Sequence, residues 1–224
     1  MLTRSMIGLA LAAFAARADF TIVQKVEGAS NEGQMAIRLK ADFARADIAP
    51  QVSTITDLAT GDVITLQHAA KVFIRLPGEQ TRALLEKVNE QQQLTNVEPP
   101  KLVATGRREK VERRLCEVFT WSAGEVRATD WIARDFPDLP SIVAALGRFQ
   151  SAGLAAAAQA LQPPLSALPG MLIKRELLIG AQKTTTTLLS VSQAPIDDAI
   201  FAVPAEYKEQ PAPAFQFPSG PPAK

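Results

Sequence analysis

Asp138-Leu139-Pro140-Ser141-Ile142-Val143-Ala144-Ala145-Leu146-Gly147-Arg148-Phe149-Gln150, running on to Leu161, is unlike any other stretch of this 224-residue chain. Leu139, Ile142, Val143, Leu146, Phe149, Leu154, Ala157 and Leu161 recur at helical spacing and share one face. Asp138 is placed to cap the helix and Pro140 suits its first turn. The opposite face is mostly alanine, and Arg148 is the sole charge between Leu139 and Leu161. A surface helix carries a charged outer face, so this one is expected to be covered on more than one side. Gln150, Ser151 and Gln159 make it too polar to cross a bilayer. Pro163-Pro164 ends it.

What surrounds this helix alternates with period two. Phe20, Ile22 and Val26 alternate with more polar neighbours, and Met35, Ile37 and Leu39 do so after a Gly28–Gly33 turn cluster. Val52 to Leu58, Val63 to Leu66 and Lys71 to Leu76 read as further strands, punctuated by Thr60-Gly61-Asp62, His68-Ala69-Ala70 and Pro77-Gly78. A second helix is expected from Glu79 to about Gln93, with Leu84, Leu85 and Val88 as its apolar stripe. Strand patterning returns at Lys101–Ala104, Lys110–Trp121 and Val126–Ala133. It ends with a hairpin, Met171–Ile179 and Lys183–Ser192, whose Thr184–Thr187 run favours strand through β-branching. Hairpin succession implies an antiparallel sheet. The fold class expected is α+β: a curved antiparallel sheet, an open half-barrel, wrapped around one or two helices.

The ends read differently. Arg4, the apolar run Met6–Phe14 and Ala16-Arg17-Ala18 form a secretory signal pattern with cleavage after Ala18. Residues 19–207 are expected to form a single domain, with helices near 79–93 and 139–161. Residues 208–224, rich in proline, are expected to be a flexible tail. The chain holds 24 Lys and Arg against 23 Asp and Glu; the leader takes two arginines and leaves a net charge of −1. That balance offers no global field for nucleic acid. No segment after the leader is apolar enough to span a membrane. The expected location is therefore periplasmic or extracellular, and one cysteine, Cys116, leaves no internal disulfide.

The chain resembles a family of secreted bacterial proteins that carries a domain-of-unknown-function label, itself similar to the periplasmic lipoprotein carriers (LolA-like) and related sigma-factor regulators. The residues concerned are Ser53–Gly61 leading to Lys71-Val72-Phe73, then Thr105-Gly106, Cys116–Phe119, Trp131-Ile132-Ala133, Pro169-Gly170-Met171 and Phe201–Tyr207. The resemblance implies an open half-barrel whose concave side is lined by helices and, in the carriers, holds acyl chains. The carriers also have a buried gating arginine, and Arg45 lies in a comparable early-strand region.

Few residues offer chemistry. His68 is the sole histidine and sits at a strand reversal, where an exposed loop histidine is expected. Cys116, with Val118 on its own strand face, reads as a buried structural thiol. A hairpin turning on Ala123-Gly124 would set Cys116 opposite Trp131 and Val118 opposite Thr129. The other face would hold Phe119, Trp121, Ala128 and Ile132. Both faces then carry apolar bulk and both must be covered; Trp121 and Trp131 are either core or cavity lining. The run Arg107–Arg114, interrupted by Glu109 and Glu112, reads as a solvated strand face, with a contact for anionic head groups at a cavity rim as the lesser alternative. No paired carboxylates, phosphate loop or metal-ligand spacing occurs, so neither a metal nor a cofactor is expected.

The function expected is non-enzymatic: an exported protein binding an apolar ligand, a lipid or lipoprotein acyl chain, in a sheet-and-helix cavity. Val118, Trp131, Ile142, Leu146 and Phe149 are its candidate lining residues, and the Leu139–Leu161 helix is its lid. The alternative is a cell-envelope structural or sensory interaction module whose cavity is filled by its own side chains.

Overall fold

The computed structural model describes residues 19–28, 32–91, 98–152 and 162–212. The leader, part of the Gly28–Gly33 turn cluster, the end of the helix expected to reach Gln93, the 153–161 part of the other expected helix and the tail from Pro213 lie outside the described residues. Twelve strands form one curved, unclosed sheet: β1 (Phe20–Glu27), β2 (Gly33–Lys40), β3 (Phe43–Ile48), β4 (Val52–Asp57), β5 (Val63–Gln67), β6 (Val72–Leu76), β7 (Val103–Val111), β8 (Arg114–Ala123), β9 (Val126–Ala133), β10 (Met171–Ile179), β11 (Gln182–Ser192) and β12 (Lys208–Gln210). Their order is β12-β6-β5-β4-β3-β2-β1-β11-β10-β9-β8-β7. Every pairing is antiparallel except β12 on β6. Among the described residues two α-helices interrupt it, α1 (Gly78–Gln91) and α2 (Leu139–Ser151).

The sheet wraps around α2. Ile142 is 1% exposed within an apolar cluster that takes Phe20 and Ile22 from β1, Ile37 and Leu39 from β2, Ala44 and Ala46 from β3, and Val118 and Trp131 from β8 and β9. Leu139, Ala145, Leu146 and Phe149 pack against that cluster. The charge on Arg148 is met by the Ala41 carbonyl (2.9 Å) and the Asp42 carboxylate (2.5 Å), which ties α2 to the β2–β3 turn. Helix α2 ends at Ser151, where Ala152 is extended (φ −107°, ψ 149°) and a glycine, the weakest helix former after proline, follows in sequence. Asp138 does not cap α2 through its side chain. It adopts a left-handed conformation (φ 53°), and its carboxylate accepts instead from Gln193 Nε2 (3.1 Å). Helix α1 is more solvated, with Gly78 and Thr81 buried among its described residues. Its start is pinned because a Cβ on Gly78 would lie 2.0 Å from the Thr60 carbonyl oxygen.

Three further differences from the sequence reading are local. The Phe43–Ile48 strand was not anticipated, because Ala44 and Ala46 give its buried face little hydrophobic contrast. The Lys110–Trp121 strand is instead two strands, β7 and β8, reversed at Glu112, which takes φ 52°. The β8–β9 hairpin turns on Gly124-Glu125, so Val118 pairs with Trp131 rather than Thr129. That shift of two residues leaves the faces as expected, and both are buried: Cys116 and Val118 on one, Phe119 and Trp121 on the other.

The chain also continues past the expected boundary at Tyr207. Residues 196–210 cross β3 to β6 as a strap, and Lys208–Gln210 add to the edge of β6. Under the strap, Ile55, Leu66 and Phe73 form a second apolar cluster with Phe201, Val203 and Tyr207 against it.

Candidate functional site

The five residues singled out for a cavity do come together, but as packed core. Val118 and Ile142 are each 1% exposed and Trp131 is 7% exposed, with Leu146 and Phe149 against them. Trp131 is fixed at both ends: its indole Nε1 donates to Glu109 Oε2 (2.7 Å), and the Lys174 ammonium sits 4.4 Å from its ring. That indole hydrogen bond, with the Arg107 guanidinium, holds the Glu109 carboxyl below the usual range against the opposing effect of burial.

Space opens beside this core, where two strands are irregular. Ile173 is the extra residue in the β9–β10 register shift, and Leu189 is the extra residue in the β1–β11 shift. A bulge adds one residue on one strand and re-aims a side chain. Ile173 and Leu189 accordingly line one groove of about 400 Å³ with Phe136, Leu188, Ser190 and Val191. Its floor belongs to the main core, because Ile173 and Leu188 are members of the α2 cluster and Phe136 and Val191 pack on it. Leu189 remains 44% exposed. The groove's mouth is the β7–β8 turn, Glu112, Arg113 and Arg114. The Arg114 guanidinium lies 4.2 Å from the centre of the Phe136 ring, where apolar floor meets basic mouth.

A larger open groove, about 900 Å³, runs over the far ends of β8–β11. Cross-strand rows Thr120/Thr129/Glu176 and Ser122/Arg127/Leu178/Lys183 line it, with Pro99, Pro100 and Lys101 alongside. Hydroxyls and charges interleave throughout, and Glu176 is shared by Lys174 (2.7 Å) and Lys183 (2.8 Å). Val103, Trp121, Ala128 and Leu177 supply its apolar surface.

His68 is not the exposed loop histidine expected from sequence. Its Nε2 lies 2.7 Å from Ser53 Oγ and its Nδ1 2.6 Å from the Tyr207 hydroxyl. Ser53, 1% exposed, also donates to Asp47 Oδ1 (2.5 Å) and accepts from Arg45 Nη2 (3.0 Å). The serine has one proton, and Asp47 takes it. His68 Nε2 must therefore donate to Ser53, the reverse of what a nucleophile–base pair requires. Burial pushes the Asp47 carboxyl up, but hydrogen bonds from Ser53 and Arg45, and the charges of Arg45 and Arg38, hold it below the ordinary aspartate value. Arg45 also donates to the Ile200 carbonyl (2.6 Å). It thus fastens the strap, on the face opposite its core-facing neighbours Ala44 and Ala46, and does not reach the groove. Sequence could not show this network, since Tyr207 and Ile200 stand 139 and 155 positions from their partners.

Cys116 is fully buried and free, and burial raises its thiol pKa. Asp130, 0% exposed, receives both Arg175 Nε and Nη2 (2.7 Å each) and Trp121 Nε1 (2.9 Å). Among the described residues, no group of three or more His, Cys, Asp and Glu could hold a metal ion, and no helix is long and apolar enough to cross a membrane.

The model of a domain of unknown function, DUF4412, matches residues 21–207. No curated relative matches the chain. Among solved structures, PNGF-II is 12% identical at a TM-score of 0.40, covering 87% of this chain; this chain spans 31% of PNGF-II. LprF from Mycobacterium bovis is 10% identical, covering 85% of this chain and 90% of its own, at a TM-score of 0.35. A DUF1329 family protein from Desulfovibrio piger is 9% identical, covering 84% and 91%, at 0.32.

Proposed function

We propose that this chain, which belongs to the DUF4412 family, is an exported, non-enzymatic binder of an apolar ligand, the acyl chain of a lipid or lipoprotein. The observation that carries the reading is the pair of bulges. Two strands each spend an extra residue, Ile173 and Leu189, at one place, and the result is an apolar groove leading into the core around α2. A chain entering it would be stabilised by about 25 cal/mol per Å² of apolar surface removed from water. α2 is the element that would shift to admit more of it: Ile142 is its one fully buried residue, while Leu146 and Phe149 are half-buried.

The test is native mass spectrometry of the full chain with a dodecyl-chain ligand, read alongside Trp131 fluorescence. A one-to-one adduct is expected. Leu189→Lys should abolish it without unfolding the protein, because Leu189 is half in solvent. An unmodified chain that takes up no dodecyl ligand ends the proposal.

A second reading, an envelope interaction module with a filled interior, is supported by the tight packing of Val118, Trp131 and Ile142. It requires the same experiment to give no adduct.

A further inference from the structure

We infer that the ligand of this groove is a single-chain amphiphile with an oxyanion head, and that Arg113 and Arg114 hold the head. The inference rests on the proposed groove reading and adds the chemistry of its mouth. Arg113 and Arg114 line the apolar groove and also a second cavity of about 370 Å³ beside it. That second cavity adds Arg108 and Arg134, which meet Glu117 on the opposite face of the strands, so Arg113 and Arg114 are the two guanidiniums at the end of the apolar channel.

Glu117 is not a partner for these two. Glu117 is shared between Arg134 (2.7 Å) and Arg108 (3.3 Å), and the hydrogen bonds and charges of Arg134 and then Arg108 hold its carboxyl below the usual range against the opposing effect of burial. Arg114 is stacked on Phe136 rather than paired with a carboxylate. Arg113 makes no hydrogen bond or ion pair among the described residues. The other acids there, Glu112 and Asp135, are both exposed and pair with neither arginine.

A guanidinium presents donors in a planar fork that matches a carboxylate or phosphate. An ordinary surface arginine faces water on every side. Arg114 instead sits where an alkyl chain lying over Phe136 would end, so one ligand can satisfy floor and mouth together. The sequence places these arginines at the only point where the Arg107–Arg114 run turns, which is why they stand at a rim while Arg107 and Arg108 stay on the strand.

The experiment compares dodecanoate, dodecyl phosphate and 1-dodecanol on the full chain by titration calorimetry, with acetate as a headgroup-only control. Both anionic chains should bind about tenfold more tightly than the alcohol, equivalent to about 1.4 kcal/mol. The advantage should shrink with added salt. It should also fall to near unity in Arg113→Gln/Arg114→Gln. Equal binding of all three chains would overturn the head-group assignment and leave the apolar groove standing. Acetate binding as tightly as dodecanoate would make the cluster a simple anion site and overturn the amphiphile. Failure of all three chains to bind would remove the groove reading itself.

Discussion

The two sides of the sheet are closed by different means. Over β3–β6 the strap is held by directional polar contacts: Lys40 to the Ile196 carbonyl, Arg45 to the Ile200 carbonyl, Ile196 N–H to Asp19 (2.8 Å), His68 to Tyr207 and Lys208 N–H to the Lys71 carbonyl (3.0 Å). Beside β10 and β11 the groove is closed by apolar packing, with bulges at Ile173 and Leu189 in the ladders and exposed Leu189 in its lining. Polar contacts are lost if geometry shifts by an ångström, whereas apolar packing tolerates sliding. The strap side is therefore built to stay shut and the groove side to rearrange.

The largest expected effect tests whether the groove side has any rigid anchor. Asp130 is that anchor, since its carboxylate satisfies Arg175 and Trp121 with no exposed surface. Asp130→Ala would leave the Arg175 charge nearly buried and unpaired, at a cost of about 3–5 kcal/mol. Urea denaturation measures it. Replacing both partners, as Asp130→Leu with Arg175→Met, should recover most of the loss. A single substitution costing under about 1 kcal/mol would mean the pair is solvated and both sides are alike.

On the strap side, Arg45→Met removes three donors at once, to Asp47, Ser53 and the Ile200 carbonyl. Hydrogen bonds from charged groups are worth about 1.5–3 kcal/mol, so a loss of about 2 kcal/mol is expected. It should come with faster proteolytic cleavage within 196–210. Unchanged proteolysis at lower overall stability would show that the strap is not held by Arg45.

How much of this was legible in the sequence follows the same division. Strands with alternating branched residues, such as Ile37 and Leu39, and the greasy face of α2 announce themselves, because burial of one face has a period. The groove does not, because a bulge is an exception to the period: Ile173 and Leu189 look like ordinary strand residues until their neighbours are known. Arg107–Arg114 was visible as a basic run, but its turn at Glu112, a residue with no special left-handed preference, was not. The strap was hidden because its partners, Arg45 on β3 and His68 in the turn after β5, read as surface groups alone. The shared motif Phe201–Tyr207 marked the segment without revealing that Tyr207 closes a hydrogen-bonded chain to Ser53.

Tyr207→Phe gives a smaller and more specific break, removing one hydroxyl from His68 Nδ1 for about 1 kcal/mol. The Asp47 end of the same chain gives a pH signature. Its folded-state pKa is lowered, so its contribution is present above the unfolded aspartate value of about 3.9 and is lost as pH falls from there toward the folded value. Wild-type stability should thus decline more steeply below about pH 4 than that of Asp47→Asn. Parallel acid limbs for the two proteins would show that Asp47 titrates as if in water.

The smallest effect concerns Cys116, which sits beneath the groove side and lines the second cavity while its own surface is wholly buried. Its raised pKa leaves little thiolate, so alkylation of the folded protein should be undetectable over the time in which the urea-unfolded chain reacts fully. If the groove side does rearrange, warming should bring slow alkylation well below the unfolding midpoint, and a bound dodecyl chain should suppress it. Alkylation that begins only with global unfolding would mean the β8–β9 layer is as rigid as the strapped one, and the contrast between the two sides would then lie in chemistry alone and not in mobility.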